Sequence, residues 1–150
     1  MTQAMQAVAI DRFGGPDVLK VVTIPIPALE AGEVRIRLEW AGIGEWDPFE
    51  REGGYAEMMG ISPRFPYVLG SEGAGVIDAV GGDAEGFRKG DRVYSPAFLN
   101  PKGGFYAEYA VVPAALVAHV PPALPTVAAA AIGGVGLTAL RGLEDVLHVQ

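Results

Sequence analysis

Apolar and polar residues alternate most regularly in one segment of the first third of the chain. Val34, Ile36, Leu38 and Trp40 are apolar, and charged residues separate them. A period of two over seven residues predicts a β-strand with one buried face. The strand is expected to belong to a β-hairpin or a barrel.

Shorter apolar segments bounded by glycine or proline predict further strands. They are residues 7–11, 18–24, 67–80, 91–95 and 107–120. Pro25 and Pro27 follow the second of these segments, which favours an edge strand or an extended link there. The glycines within residues 67–80 predict bulges or a close approach of another backbone.

The region between residues 42 and 66 shows no periodicity. It is rich in glycine, proline, aromatic and charged residues. A segment of this length without a pattern is expected to be a long irregular loop, and such loops in compact domains usually carry function.

The last 25 residues predict helices. An alanine-rich segment at residues 126–132 predicts a short helix, and residues 136–149 predict an amphipathic one. Its apolar side carries Leu137, Leu140, Leu143 and Leu147. Many short strands followed by helices favour a mainly β fold, a small, partly open β-barrel with C-terminal helices.

Composition narrows the possible functions. The chain has 150 residues, with 21 glycines and 12 prolines, which argues against a helical bundle. The net charge is −7, and no basic cluster exceeds Arg88-Lys89, so nucleic acid is excluded as a main ligand. No apolar run has the length of a membrane span, and no secretory signal is present, which makes a cytoplasmic location the default expectation.

The absence of cysteine narrows the chemistry further. The chain has no cysteine and two histidines, His119 and His148. Disulfides, thiolate nucleophiles and cysteine-containing zinc sites are therefore excluded. We assign neither histidine a catalytic role, since His119 follows a strand among prolines and His148 lies on the polar side of the last helix.

Six sequence blocks in register resemble one family. They are AVAIDRFGGPDVL, GEVRIRLEWAGIGEWDPFEREG, FPYVLGSEGAGVIDAVG, RKGDRVYS, GGFYAEYAVVP and AAIGGVGLTAL. Together they resemble the N-terminal substrate domain of the medium-chain dehydrogenase/reductase superfamily, with the zinc-free quinone oxidoreductases as the most similar branch. The resemblance implies a GroES-like barrel over residues 1–125. It also implies connecting helices over residues 126–150 that lead towards a Rossmann domain absent from this chain.

The Gly133-Gly134-Val135-Gly136 segment could be mistaken for a dinucleotide fingerprint. It lacks the preceding strand and the acidic residue about 20 positions further on. We interpret it as a flexible turn that enters the last helix.

The resemblance also implies that no catalytic zinc is bound. The three positions that hold zinc in related alcohol dehydrogenases are Gly44, Ser71 and Gly134 by motif. Without a Lewis acid, the expected substrates accept hydride readily, as quinones and α,β-unsaturated carbonyl compounds do. The expected cofactor is NADPH, with NADH as the alternative.

Five residues are candidates for contact with the cofactor: Gly44, Trp46, Asp47, Phe49 and Thr138. Related proteins often carry asparagine at position 44 and tyrosine at position 49, so this chain departs from both. Asp47 could instead cap a helix turn, Phe49 could belong to the core, and Thr138 could bond to its own helix turn.

A second group of residues is predicted to line the substrate pocket: Trp46, Tyr55, Met58, Met59 and Tyr67. Methionine and aromatic residues can form an adaptable apolar pocket, although ordinary loop packing is an alternative for each. Tyr55 is the one weak candidate for a proton donor. Glu72 is either a remnant of the metal site or a partner of Arg51 or Arg64.

The function expected from these residues is NAD(P)H-dependent, zinc-independent hydride transfer to a small-molecule quinone or activated alkene. The chain alone should be inactive and the whole protein should form a homodimer through the cofactor domain. Two alternatives are open: a non-catalytic binding or scaffold protein that keeps the fold, and an enoyl-reductase module of a larger synthase.

Overall fold

A computed structural model describes residues 3–149. Antiparallel strands form two sheets in the orders β2-β1-β4 and β7-β3-β5-β6-β8. The strands are β1 (Ala4–Ile10), β2 (Lys20–Pro25), β3 (Glu33–Ala41), β4 (Tyr67–Val68), β5 (Glu72–Val80), β6 (Arg92–Pro96), β7 (Tyr109–Pro113) and β8 (Ala118–His119). The α-helices are α1 (Trp46–Arg51), α2 (Gly54–Met59), α3 (Thr126–Ala130) and α4 (Gly133–Arg141).

A few backbone contacts join the two sheets into the partly open barrel predicted from the sequence. Ala7 of β1 forms an isolated bridge with Ala107. The N–H of Val8 donates to the carbonyl of Tyr106 at 2.7 Å. The mainly β fold class is thereby confirmed.

The alternating segment is β3, the centre of the larger sheet. Val34 and Ile36 are fully buried, whereas Trp40 is 53% exposed. This increase in exposure along β3 follows a shift in the pairing register between Leu38 and Trp40, which turns the end of the strand out of the core. The main core cluster lies on the buried face, with Ile77, Val93, Phe105 and Val112 as members.

Glycine at position 75 permits the close approach of β3 and β5 that was expected there. A Cβ on Gly75 would lie 2.1 Å from the carbonyl oxygen of Arg37. Any other residue would push the two strands apart at this point.

The prediction of one irregular loop over residues 42–66 was wrong. This segment contains α1 and α2, each of six residues. Gly53 and Gly60 adopt left-handed conformations with φ of 91° and 65°, and they separate and end the two helices. Helices of less than two turns are too short to show a 3.6-residue period.

The predictions for residues 67–80 and for the C-terminal helices were each right in part. Residues 67–80 form two strands, β4 and β5, with Gly70 at a φ of 99° between them. The short alanine-rich helix is α3. The Gly133–Gly136 segment is the first turn of α4, not a flexible turn, and a π-helical turn at Gly142–Val146 follows α4. The four leucines of the predicted apolar side are exposed.

None of the helices within residues 3–149 is both long and apolar enough to cross a lipid bilayer.

Candidate functional site

A cleft of about 500 Å³ lies between α4, the two short helices and the adjoining ends of β5 and β6. Most of its wall is apolar. The residues that line it are Trp46, Tyr55, Ser71, Glu72, Pro96, Phe98, Gly134, Val135, Thr138 and Ala139.

Glu72 connects the barrel to the start of α4. Its Oε2 accepts a hydrogen bond of 2.7 Å from the backbone N–H of Gly134, and the residue is 4% exposed. A carboxylate at this end of a helix also satisfies an otherwise unpaired N–H and interacts favourably with the helix dipole. Gly42 gives the side chain its room, since a Cβ there would lie 2.7 Å from Cγ of Glu72.

This contact answers the question that the sequence left open about Glu72. Arg51 is not the partner of Glu72, because its guanidinium donates to the carbonyl of Gly14 and to Glu52. Glu72 instead holds the first turn of α4 against the end of the cleft.

The indole ring of Trp46 occupies the space beside Gly44. A Cβ on Gly44 would lie 2.2 Å from Cε2 of the indole. The far edge of the same ring points towards α4, because a Cβ on Gly134 would lie 3.9 Å from its Cη2. Trp46 therefore forms the cleft wall between positions 44 and 134.

Asp47 fixes the turn before α1 and does not line the cleft. Its Oδ2 accepts hydrogen bonds from the N–H of Gly44 at 2.6 Å and from the hydroxyl of Tyr106 at 2.7 Å. Burial, and then the hydrogen bond to the carboxylate, raise the pKa of Tyr106 well above its usual value. Asp47 therefore orients the turn before α1 and the hydroxyl of Tyr106, and it does not cap the helix.

Tyr67 faces a second acid, Glu50, and lies outside the main cleft. Its hydroxyl donates to Oε1 of Glu50 at 2.5 Å. Burial raises the pKa of Glu50, and the charge of Asp47 raises it further, although the Tyr67 hydroxyl opposes this shift. Burial and the same hydrogen bond raise the pKa of Tyr67.

Tyr55 reaches the cleft, whereas three other candidates do not. Its ring packs edge-on against Phe49 and Phe98, each with centroids 4.8 Å away. Phe49 supports Tyr55 from the outside and is 46% exposed, so it belongs neither to the cleft wall nor to the core. Met58 and Met59 project from α2 into solvent, which makes their assignment to the pocket wrong.

Thr138 lines the cleft from α4, and its hydroxyl is already engaged. Oγ1 donates to the carbonyl of Gly134 at 2.9 Å, one turn earlier. This is the local bond that was the alternative to cofactor contact. The methyl group and the exposed side of the hydroxyl remain available to a bound molecule.

The three positions assigned to zinc by resemblance meet at this cleft. Ser71 and Gly134 line it, and Gly44 lies directly behind Trp46. Two glycines offer no side-chain ligand, and a serine hydroxyl is a poor one for zinc. Within residues 3–149 no group of three or more histidine, aspartate or glutamate side chains is placed to hold a metal ion.

The two histidines lie away from the cleft. His119 stacks on Phe87, with centroids 5.0 Å apart, and its Nε2 lies 3.1 Å from the carbonyl of Gly86. His148 is exposed, as predicted. Sequence reasoning missed Pro96, Phe98, Val135 and Ala139 as cleft residues, because only the packing of α4 brings them together.

Three comparisons describe the relatives of the chain. Residues 30–122 match the family model described as the alcohol dehydrogenase GroES-like domain. The quinone oxidoreductase of Pongo abelii is 38% identical over 149 residues, which are 97% of this chain and 43% of that protein. The chain thus spans about two fifths of the length of the curated relatives it matches.

Solved structures show the same fold. The quinone oxidoreductase from Coxiella burnetii superposes with a TM-score of 0.86 at 28% identity, covering 95% of this chain and 45% of that one. A mycobacterial protein in complex with NADPH superposes with a TM-score of 0.82 at 36% identity, covering 97% and 42%. The chain therefore belongs to the alcohol dehydrogenase GroES-like domain family, within the medium-chain dehydrogenase/reductase superfamily.

Proposed function

We propose that the protein containing this chain is an NADPH-dependent, zinc-independent oxidoreductase that transfers hydride to a quinone or an α,β-unsaturated carbonyl compound. The observation that carries the proposal is the meeting of positions 44, 71 and 134 at one apolar cleft. The relatives named quinone oxidoreductase support it.

The cleft suits a flat, partly apolar ring system. Its volume of about 500 Å³ falls in the usual range for small-molecule sites. Trp46, Val135 and Ala139 offer apolar surfaces, and Thr138 adds a hydroxyl at the helix. NADPH, when bound, supplies the hydride, and the mycobacterial relative in complex with NADPH supports a nicotinamide cofactor.

The residues of this chain have two tasks in the proposed reaction. The apolar walls orient the acceptor and exclude water. Polar groups stabilise the negative charge that develops on the oxygen of the acceptor. A proton must then reach that oxygen to complete the reduction. Tyr55, held edge-on between two phenyl rings at the cleft, is the candidate donor.

The donor set supports the proposed zinc independence. Neither Gly44 nor Gly134 has a ligating side chain, and Glu72 is engaged by the N–H of Gly134. Elemental analysis of the full-length protein tests this point. Stoichiometric zinc that survives chelator treatment contradicts it.

The proposal also covers the domain organisation and pairing of the whole protein. Residues 1–125 form the substrate-side domain and residues 126–150 connect it to a cofactor domain, through which two copies pair. The exposed leucines of α4 are the part of the chain that faces this junction.

The test is NADPH oxidation by the full-length protein with a quinone as acceptor. Trp46→Ala should lower kcat/KM at least about tenfold, because it removes the wall between positions 44 and 134. Trp40→Ala is the matched control, since Trp40 is an exposed tryptophan at the end of β3. No quinone- or enone-dependent NADPH oxidation by the unaltered protein overturns the proposal and favours a binding or scaffold protein.

A further inference from the structure

The cleft has one carboxylate in its wall and no basic side chain among the residues that the structure describes. That carboxylate is Glu72. The remaining wall residues are polar, apolar or aromatic, and the aromatic ones are Trp46, Tyr55 and Phe98. The charge of the wall is therefore negative.

No counter-charge within residues 3–149 neutralises Glu72. The residue is 4% exposed, and no lysine, arginine or histidine of the described chain forms an ion pair with it. Dissolved salt screens a buried charge much less than a surface charge. The carboxylate therefore acts on any molecule that enters the cleft.

The start of α4 offsets this charge only in part. Oε2 of Glu72 accepts the hydrogen bond of 2.7 Å from the N–H of Gly134. The positive end of a helix dipole is equivalent to about half an elementary charge, so a net negative charge remains at the wall. The same contact occupies a helix N–H that an anion would otherwise use.

The geometry of the wall selects the kind of molecule that this charge favours. A ring in van der Waals contact with Gly134 lies within about 8 Å of the Glu72 carboxylate, since the two residues are hydrogen-bonded. The aromatic side chains of the wall pack well against another flat ring, and their faces attract a cation. A flat aromatic cation fits both properties.

We propose that Glu72 makes the cleft bind the positively charged, oxidised nicotinamide ring more tightly than the neutral, reduced ring. The inference rests on the proposed function. Hydride transfer breaks the C4–H bond of the reduced ring, and the hydrogen leaves for the acceptor with both bonding electrons. The ring becomes a cation as this happens, and Glu72 stabilises the growing positive charge.

The acceptor gains the negative charge in the same step and then takes up a proton at its oxygen. The charge of Glu72 repels that oxygen. We therefore expect the acceptor to bind with its oxygen on the side of the cleft away from Glu72.

An NMR titration of the 15N-labelled chain tests the preference for a cation. 1-Methylnicotinamide carries a permanent positive charge, whereas nicotinamide has the same carboxamide-substituted ring without it. The backbone signals of Gly134 and Val135 report binding at the cleft. The cation should bind about three- to tenfold more tightly, the effect of one partly offset charge at this distance. Equal affinities overturn the inference.

Variants separate Glu72 from the general charge of the chain, which is −7. Glu72→Gln removes the charge but keeps an oxygen that can accept from Gly134, and it should abolish the preference. Glu85→Gln is the matched control, because it removes one exposed negative charge elsewhere and should leave the preference intact. A preference that survives in Glu72→Gln overturns the inference.

Salt provides a measurement that needs no variant. The preference of the unaltered chain should persist at about 0.5 M NaCl if a buried carboxylate causes it, whereas surface charges are screened at this concentration. A preference that disappears in salt contradicts the assignment to Glu72, even if Glu72→Gln does not fold.

The two proposals fail in different ways. If the full-length protein reduces quinones with NADPH but Glu72→Gln keeps the preference for 1-methylnicotinamide, the role of Glu72 is wrong and the function stands. If NADPH oxidation is absent but the preference is present and is lost in Glu72→Gln, the cation site stands and the proposed reaction is wrong.

Discussion

The indole ring of Trp46 lies so close to Gly44 that the two residues form one structural unit. Three ring atoms, Cε2, Cζ2 and Cδ2, would lie 2.2–2.6 Å from a Cβ added at position 44. The ring of Trp46 can therefore take its place only because residue 44 is a glycine.

Gly44→Ala should destabilise the chain by about 1–3 kcal/mol, the usual cost of overpacking. The added methyl group must displace the indole ring, since its three nearest atoms all belong to that ring. Chemical denaturation measures the change in the free energy of unfolding.

The double variant tests whether the cost comes from this contact. In a Trp46→Ala background, Gly44→Ala should cost much less, because the ring is gone. Gly82→Ala is the control, since a Cβ there meets nothing within 4 Å. Equal costs of Gly44→Ala in both backgrounds would show that the ring is not what restricts position 44.

Glu72→Ala should lower the free energy of unfolding by about 1–3 kcal/mol, because it leaves the N–H of Gly134 without its acceptor. Glu72→Gln should cost less, since the amide oxygen can still accept this bond. Urea unfolding of both variants checks the order. Glu57→Ala, which alters an exposed glutamate of α2, is the control, and a loss as large as that of Glu72→Ala would contradict the assignment.

Tyr106→Phe should destabilise the chain by about 1.5–3 kcal/mol, the value of a hydrogen bond to a charged group. The change removes one of the two donors to the buried Oδ2 of Asp47. Tyr109→Phe removes the hydroxyl of another half-buried tyrosine, on β7, and is expected to be nearly neutral. Thermal or chemical unfolding should show a clear loss of stability for Tyr106→Phe and almost none for Tyr109→Phe.

Glu50→Gln should stabilise the chain at neutral pH and have little effect at acidic pH. The pKa of Glu50 is raised in the folded state by burial, so the folded chain holds this proton more tightly than the unfolded chain. The stability that this bound proton contributes is present below the unfolded pKa, about 4.3. It is lost as the pH rises through the pKa of the folded state.

The measurement is the difference in Tm between Glu50→Gln and the unaltered chain from pH 4 to pH 8. The difference should grow with pH and level off, reaching roughly 2–4 °C if the ionisation cost is about 1 kcal/mol. Glu85→Gln, at an exposed position, should show no such trend. A gap that narrows with rising pH would contradict the assigned direction of the shift.

Strand periodicity made the β part of the fold predictable. The alternation around Val34 and Ile36 reports one buried face directly, and the glycines after residue 67 mark the points where strands approach closely. The helices α1 and α2 were not predictable in this way. Each has six residues, too few for a helical period, and the glycine at position 53 separates them.

The sequence predicted the site residues that a local motif or composition marks, but not the contacts between residues far apart in the chain. Trp46, Tyr55 and Thr138 were expected at the cleft and do line it. The bond between Glu72 and Gly134 joins residues 62 positions apart, so no local pattern reports it. Met58 resembled a pocket residue by composition, but its direction depends on how α2 packs, which the sequence does not show.

The most direct test of the central claim is a crystal structure of the full-length protein with NADPH and a non-reacting quinone analogue. We expect the nicotinamide and the analogue to stack in the cleft, within about 4.5 Å of Trp46 and Thr138. A nicotinamide bound elsewhere, with the cleft filled by protein or by solvent alone, would contradict the account.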